Sequence, residues 1–133
     1  MTKINNLSIV IPVFNEDKNV KILIEEIYEN LDQFNNFELL IVNDGSTDET
    51  AKVIKNLKKK YHSIVLINNK KNEGQSKSLH TGILNSKYDN ICTMDGDLQN
   101  DPKDIIKIYE IYVNKNLSLV GGIRNKRKDS KIK

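Results

Sequence analysis

Apolar positions along this chain switch repeatedly between two spacings. Leu7-Ser-Ile-Val-Ile-Pro-Val13 is a nearly continuous apolar, β-branched run, as expected of a strand buried on both faces. Val20, Leu23, Ile24, Ile27, Tyr28 and Leu31 then recur at helical spacing and predict a helix of about four turns. Phe37–Val42 reads as a second strand. Ser46-Thr-Asp-Glu49 has the form of a capping box, with Val53, Ile54, Leu57 and Tyr61 continuing the helix it would open. Ser63–Ile67 is a third strand, and Leu79, Ile83 and Leu84 mark the inner face of a third helix. Asn90–Met94 is a fourth strand. Asp101-Pro102 places an N-cap and an N1 proline before a helix whose inner face is Ile105, Tyr109, Tyr112 and Val113. Leu117–Ile123 closes the series as a fifth strand. Strict alternation of strand and helix predicts an α/β fold, a mostly parallel sheet with helices on both faces.

Ligands of such sheets bind outside the carboxyl ends of the strands. The unusual polar residues of this chain follow its strands: Phe14-Asn15-Glu16, Asn43-Asp44-Gly45, Asp95-Gly96-Asp97 and Arg124. The topology therefore predicts that they gather on one sheet edge.

The chain has 133 residues, the size of one domain, and 29% of them are charged. The longest apolar run, Leu7 to Phe14, falls well short of the roughly 20 residues of a spanning helix. A single cysteine, Cys92, excludes disulfide frameworks and points to a reducing compartment, with Cys92 itself read as a small core residue. Net charge is +3, but residues 124–133 alone carry +5 and the rest −2. That asymmetry argues against a general nucleic-acid surface and for one local anionic partner. A solvated, disordered end is the plainer reading of the basic tail.

Asp95 and Asp97 flank a glycine just past an apolar strand. Two carboxylates there can converge on one hard cation, Mg²⁺ or Mn²⁺, bridging to substrate phosphates. With ten Asp in the chain, chance alone supplies about 0.7 such pairs, so position carries the weight rather than the motif. Gln99 either adds an amide oxygen to this metal set or is a turn residue. Asp44 reads as an exposed carboxylate able to accept from a nucleobase N–H, or as a residue that stabilises its turn. Phe14 either packs on a base or ribose or joins the core, and Glu16 could accept from ribose hydroxyls. Arg124 could fork onto a phosphate. Gly-rich phosphate loops are absent, which disfavours a dehydrogenase or nucleotidyltransferase.

Leu7–Glu16, Val42–Asp48 and Met94-Asp-Gly-Asp-Leu-Gln-Asn-Asp-Pro102 together resemble family 2 glycosyltransferases, and within them the polyprenyl-phosphate (dolichyl-phosphate) subgroup. Asn72-Glu-Gly-Gln-Ser, Thr81-Gly82 and Gly122-Ile-Arg124 resemble the same subgroup. The resemblance implies a glycosyltransferase A fold over residues 1–133, a nucleoside-diphosphate sugar donor, inversion at the anomeric carbon and a divalent metal. It implies that Pro12, Phe14, Glu16 and Asp44 hold the nucleoside, with Asn43 and Gly96 in the same substrate-binding set. Asp95, Asp97 and Gln99 would hold the metal, and Arg124 the phosphates; Asp97 and Arg124 would serve the transfer itself. Gly96 stands where such enzymes often carry Ala, a difference expected to matter little.

The expected reaction is sugar transfer to a polyprenyl phosphate at the cytoplasmic membrane face, with the basic tail touching anionic lipid. A lipid phosphate is already a nucleophile and needs no general base. Transfer to a sugar hydroxyl, or nucleotide binding without turnover, are the alternatives. Similar enzymes continue with an acceptor-side segment, so residues 1–133 are expected to bind nucleotide better than they transfer sugar.

Overall fold

The computed structural model describes residues 6–31, 36–96, 103, 104 and 107. Within them, strands β1 (Leu7–Val13), β2 (Phe37–Asn43), β3 (Ile64–Asn68) and β4 (Asn90–Thr93) alternate with helices α1 (Val20–Leu31), α2 (Thr50–Leu57) and α3 (Gln75–Leu84). The strands form one sheet in the order β3-β2-β1-β4. Every pairing is parallel, with Ile9 opposite Leu39 and Cys92, and Leu39 opposite Ile64. The expected fifth strand and its preceding helix lie outside the described residues.

All seven residues of β1 are buried, as its doubly apolar pattern requires. Alternate side chains Leu7, Ile9, Ile11 and Val13 join one core with Val20, Leu23, Ile24, Ile27 and Leu31 of α1 and Ile54 and Leu57 of α2. Cys92 belongs to the same core, and burial pushes its thiol up to about 12, in keeping with a packing role. The opposite face presents Val10 and Val42 to α3, where a Cβ on Gly82 would collide with Val10 and press on Val42. Helices thus cover both faces.

Two local expectations fail. α3 packs through Ser78 and Gly82, whereas Ile83 and Leu84 are exposed, Leu84 by 73%. The branched valines of the sheet need small residues above them, so the apolar spacing marked the wrong face. The Ser46–Glu49 capping box also does not form. α2 starts at Thr50, whose amide and hydroxyl both donate to Asp48 Oδ1, and Glu49 pairs forward with Lys52 at 3.7 Å. Tyr61 lies beyond the end of α2, stacked on Tyr28 with 4.2 Å between ring centres.

Candidate functional site

β1 connects to β2 and β2 to β3 on one side, and the chain then crosses to place β4 on the other side of β1. The crevice at this reversal, beyond the carboxyl ends of β1 and β4, is where ligands of open α/β sheets bind. Pro12, Phe14, Glu16, Asn43, Asp44, Asp95 and Gly96 all lie at this end of their strands. Asp97, Gln99 and Arg124 lie outside the described residues.

A closed circuit of contacts holds the crevice together. The Asp44 amide donates to the Val13 carbonyl at 2.8 Å. The Asp44 carboxylate accepts from the Glu73 amide at 2.7 Å, the Gly74 amide at 2.9 Å and the Asn69 side chain at 2.9 Å. These bonds fix the start of α3, where Gln75 Nε2 donates to Asp95 Oδ1 at 3.0 Å. Next to Asp95, Gly96 closes the circuit: a Cβ built on it would meet Val13 Cγ1 at 2.6 Å and the Pro12 carbonyl at 3.1 Å.

Asp44 is therefore not the exposed carboxylate expected from the sequence; it is 3% exposed and organises the loop after β3. Burial alone would raise its pKa, but bonds from Glu73, Asn69, Gly74 and Ser78 outweigh that and hold it below the ordinary carboxylate value. Gly45 follows at φ +73°, and a Cβ there would strike the backbone of Lys71 and Asn72, so the turn requires glycine. Asn43 is buried as well, donating to Asn68 Oδ1 and accepting from the Ser46 amide. Phe14 is 44% exposed, which removes the core-packing alternative and leaves its ring on the rim. Glu16 accepts from Asn19 at 2.9 Å while its carbonyl receives the amides of Asn19 and Val20 at the start of α1. Asp95 is buried to 8% exposure.

The sequence reading missed a clamp between the loops after β1 and β2. The Asn15 amide donates to Ser46 Oγ, and Thr47 donates back to Asn15 Oδ1. The Asp17 amide donates to Asp48, and the Glu49 amide to Asp17. Ser46 thus joins loops about 30 residues apart rather than capping the helix, Asp48 does so while also accepting from Thr50 at the start of α2, and no periodicity signals that. Burial would raise the Asp48 pKa, but donation from Thr50 and Asp17 holds it low.

Both depressed carboxylates carry a pH signature. Their stabilisation is complete above the unfolded value of about 3.9 and is lost as pH falls through the lower folded value. The melting-temperature gap between wild type and Asp44→Asn should hold steady from pH 7 to about 5 and shrink below about 4. A gap unchanged at pH 3 would contradict the bonding described.

Gly96 also differs from expectation. Exchange for Ala is not neutral here, because β-branched Val13 must move to admit the methyl group. Gly96→Ala should destabilise by about 1–3 kcal/mol in urea unfolding. Adding Val13→Ala should relieve the clash, leaving the double variant less destabilised than the two single costs combined.

The Asp95 carboxylate is a hard-oxygen group of the kind suited to Mg²⁺ or Mn²⁺. Among the described residues no group of three His, Cys, Asp or Glu side chains could hold a metal by itself.

The model of glycosyl transferase family 2 matches residues 8–132. The chain belongs to this family. One family relative, dodecaprenyl-phosphate galacturonate synthase of Rhizobium johnstonii, is 37% identical over 125 residues, covering 92% of this chain and 37% of the relative. Undecaprenyl-phosphate 4-deoxy-4-formamido-L-arabinose transferase of Pectobacterium carotovorum is 34% identical over 131 residues, covering 96% of this chain and 39% of the relative. The chain thus spans well under half the length of these relatives. Among solved structures, the mannosyltransferase PcManGT of Pyrobaculum calidifontis, in complex with GDP-Man and Mn²⁺, superposes with a TM-score of 0.68 at 18% identity, over 76% of this chain and 30% of that one. S. aureus TarS 1-349 in complex with UDP-GlcNAc gives 0.70 at 19%, over 84% and 32%. At such identities the likeness speaks for the fold, which is the glycosyltransferase A fold expected from the sequence.

Proposed function

We propose that residues 1–133 form the donor-nucleotide part of an enzyme that transfers a sugar, with inversion, from a nucleoside-diphosphate sugar to a polyprenyl phosphate. The observation that carries this reading is the closed circuit joining Val13, Asp44, Gln75, Asp95 and Gly96 at the sheet's reversal point, within a chain of this family. Pro12, Phe14, Glu16 and Asn43 would shape the nucleoside side, with Phe14 stacking from the rim and Asp44 setting the loop beneath. Asp95, Asp97 and Gln99 would hold Mg²⁺ or Mn²⁺, which screens the diphosphate as it leaves. Arg124 would bind phosphate as a fork donor.

A polyprenyl phosphate arrives ionised and needs no general base. The names of the two relatives carry a dodecaprenyl phosphate and an undecaprenyl phosphate and support the same class. We place the reaction at the cytoplasmic membrane face, with residues 124–133 meeting anionic lipid. No described helix is long and apolar enough to cross a membrane.

The test supplies labelled UDP- and GDP-sugars with undecaprenyl phosphate, undecaprenol or an oligosaccharide. Label should enter the lipid phosphate and not the alcohol. Label found on the oligosaccharide alone would refute the acceptor class.

A further inference from the structure

Gln75 opens α3 directly after Gly74, and its Nε2 lies 3.0 Å from Asp95 Oδ1. Its position is set from behind. Asp44 takes the Glu73 amide on Oδ1 and the Gly74 amide on Oδ2, so the backbone entering the helix is tied on both sides. Gly74 sits at φ +99° with no side-chain cap on the helix, which leaves Asp44 to satisfy these amides. The donor that Gln75 offers Asp95 is a neutral amide. A Lys or Arg in its place would cancel the negative charge that a cation needs, whereas an amide fixes the carboxylate's direction and leaves the charge intact.

We propose that Gln75 is a positioning residue for the metal site, holding the Asp95 carboxylate toward a divalent cation through an uncharged hydrogen bond. The inference rests on the metal reading of Asp95 given above. Outer partners of metal-binding carboxylates commonly change metal affinity by about 10–100-fold when removed.

The experiment measures Mn²⁺ binding by loss of the free-ion EPR signal, with Mn²⁺ alone and with UDP or GDP, in wild type, Gln75→Met and Ser76→Ala. Gln75→Met keeps side-chain length and apolar contact but removes the donor. Thermal unfolding of each variant reports folding. Mn²⁺ affinity should fall about 10-fold in Gln75→Met, while metal-free nucleotide affinity and melting temperature stay near wild type and Ser76→Ala binds Mn²⁺ normally. Equal Mn²⁺ affinity in wild type and Gln75→Met would overturn the positioning role while leaving the metal site standing. Absence of Mn²⁺ binding in wild type would overturn the metal reading and this inference with it. If Gln75→Met melts early, Gln75→Ala and Gln75→Lys replace it. Folded Gln75→Lys, which restores a donor but adds charge, should remain weak for Mn²⁺; wild-type affinity there would count against the neutral-donor argument.

Discussion

Asp95→Ala should weaken Mn²⁺-dependent binding of a nucleoside diphosphate by about 100-fold or more, since removing even an outer partner of a ligand costs about 10–100-fold. Asp95 stands at the carboxyl end of β4, buried to 8% exposure and oriented by Gln75. Its loss takes away a carboxylate that would bridge the ion to the protein, and without the ion the diphosphate charge is left to basic side chains. Asp97→Ala should abolish the same metal-dependent binding. Asp101→Ala, placed by the sequence at a helix N-cap, should cost about 1 kcal/mol of stability and leave nucleotide affinity alone. Calorimetric titration with UDP or GDP, with and without Mn²⁺, separates these outcomes. Wild-type affinity in Asp95→Ala would remove Asp95 from the site.

Asp44→Ala should act on stability and binding together. Three donors, the Glu73 and Gly74 amides and the Asn69 side chain, lose their acceptor. Stranded buried donors cost about 1–3 kcal/mol each, less where water can enter, so a loss of about 2–4 kcal/mol is expected in urea unfolding. The same change frees the start of α3 and with it the hold of Gln75 on Asp95. Metal-dependent nucleotide affinity should therefore fall by about 10-fold even in the folded fraction. Asp44→Asn keeps one acceptor oxygen and should lie between wild type and Asp44→Ala in both measurements. An Asp44→Ala protein as stable as wild type would mean that the loop after β3 does not depend on this carboxylate.

Strand positions were legible because a strand buried on both faces must be largely apolar, and β1 and β2 are, apart from the hydrogen-bonded pair Ser8 and Glu38 and the terminal Asn43. Their parallel order followed from strict alternation with helices, and that order alone placed Asp44 and Asp95 on one edge. The inner face of α3 was not legible. Its buried residues are Ser78 and Gly82, the latter against Val10 and Val42, and a search for apolar spacing cannot see an interface built from small residues. The burial of Asp44 was hidden for a different reason. Its donors lie about 30 residues further along the chain, and they are mainly backbone amides, which every sequence contains. The Asn15–Ser46 and Asp17–Asp48 bonds were hidden in the same way, so residues that looked like a local helix cap proved to join two loops. Gln75 stood inside a motif recognised by resemblance, but its partner became visible once the start of α3 and the residues just past β4 were brought together.

The central claim is that a nucleoside diphosphate and a divalent cation occupy the crevice beyond the carboxyl ends of β1 and β4. A crystal structure of the chain with UDP or GDP and Mn²⁺ tests it most directly. The account predicts anomalous density for Mn²⁺ within bonding distance of Asp95, the diphosphate beside it, and the nucleoside between Phe14 and the loop that Asp44 ties down. Nucleotide bound at the opposite sheet edge, near Ser8 and Glu38, or Mn²⁺ density away from Asp95, would contradict it.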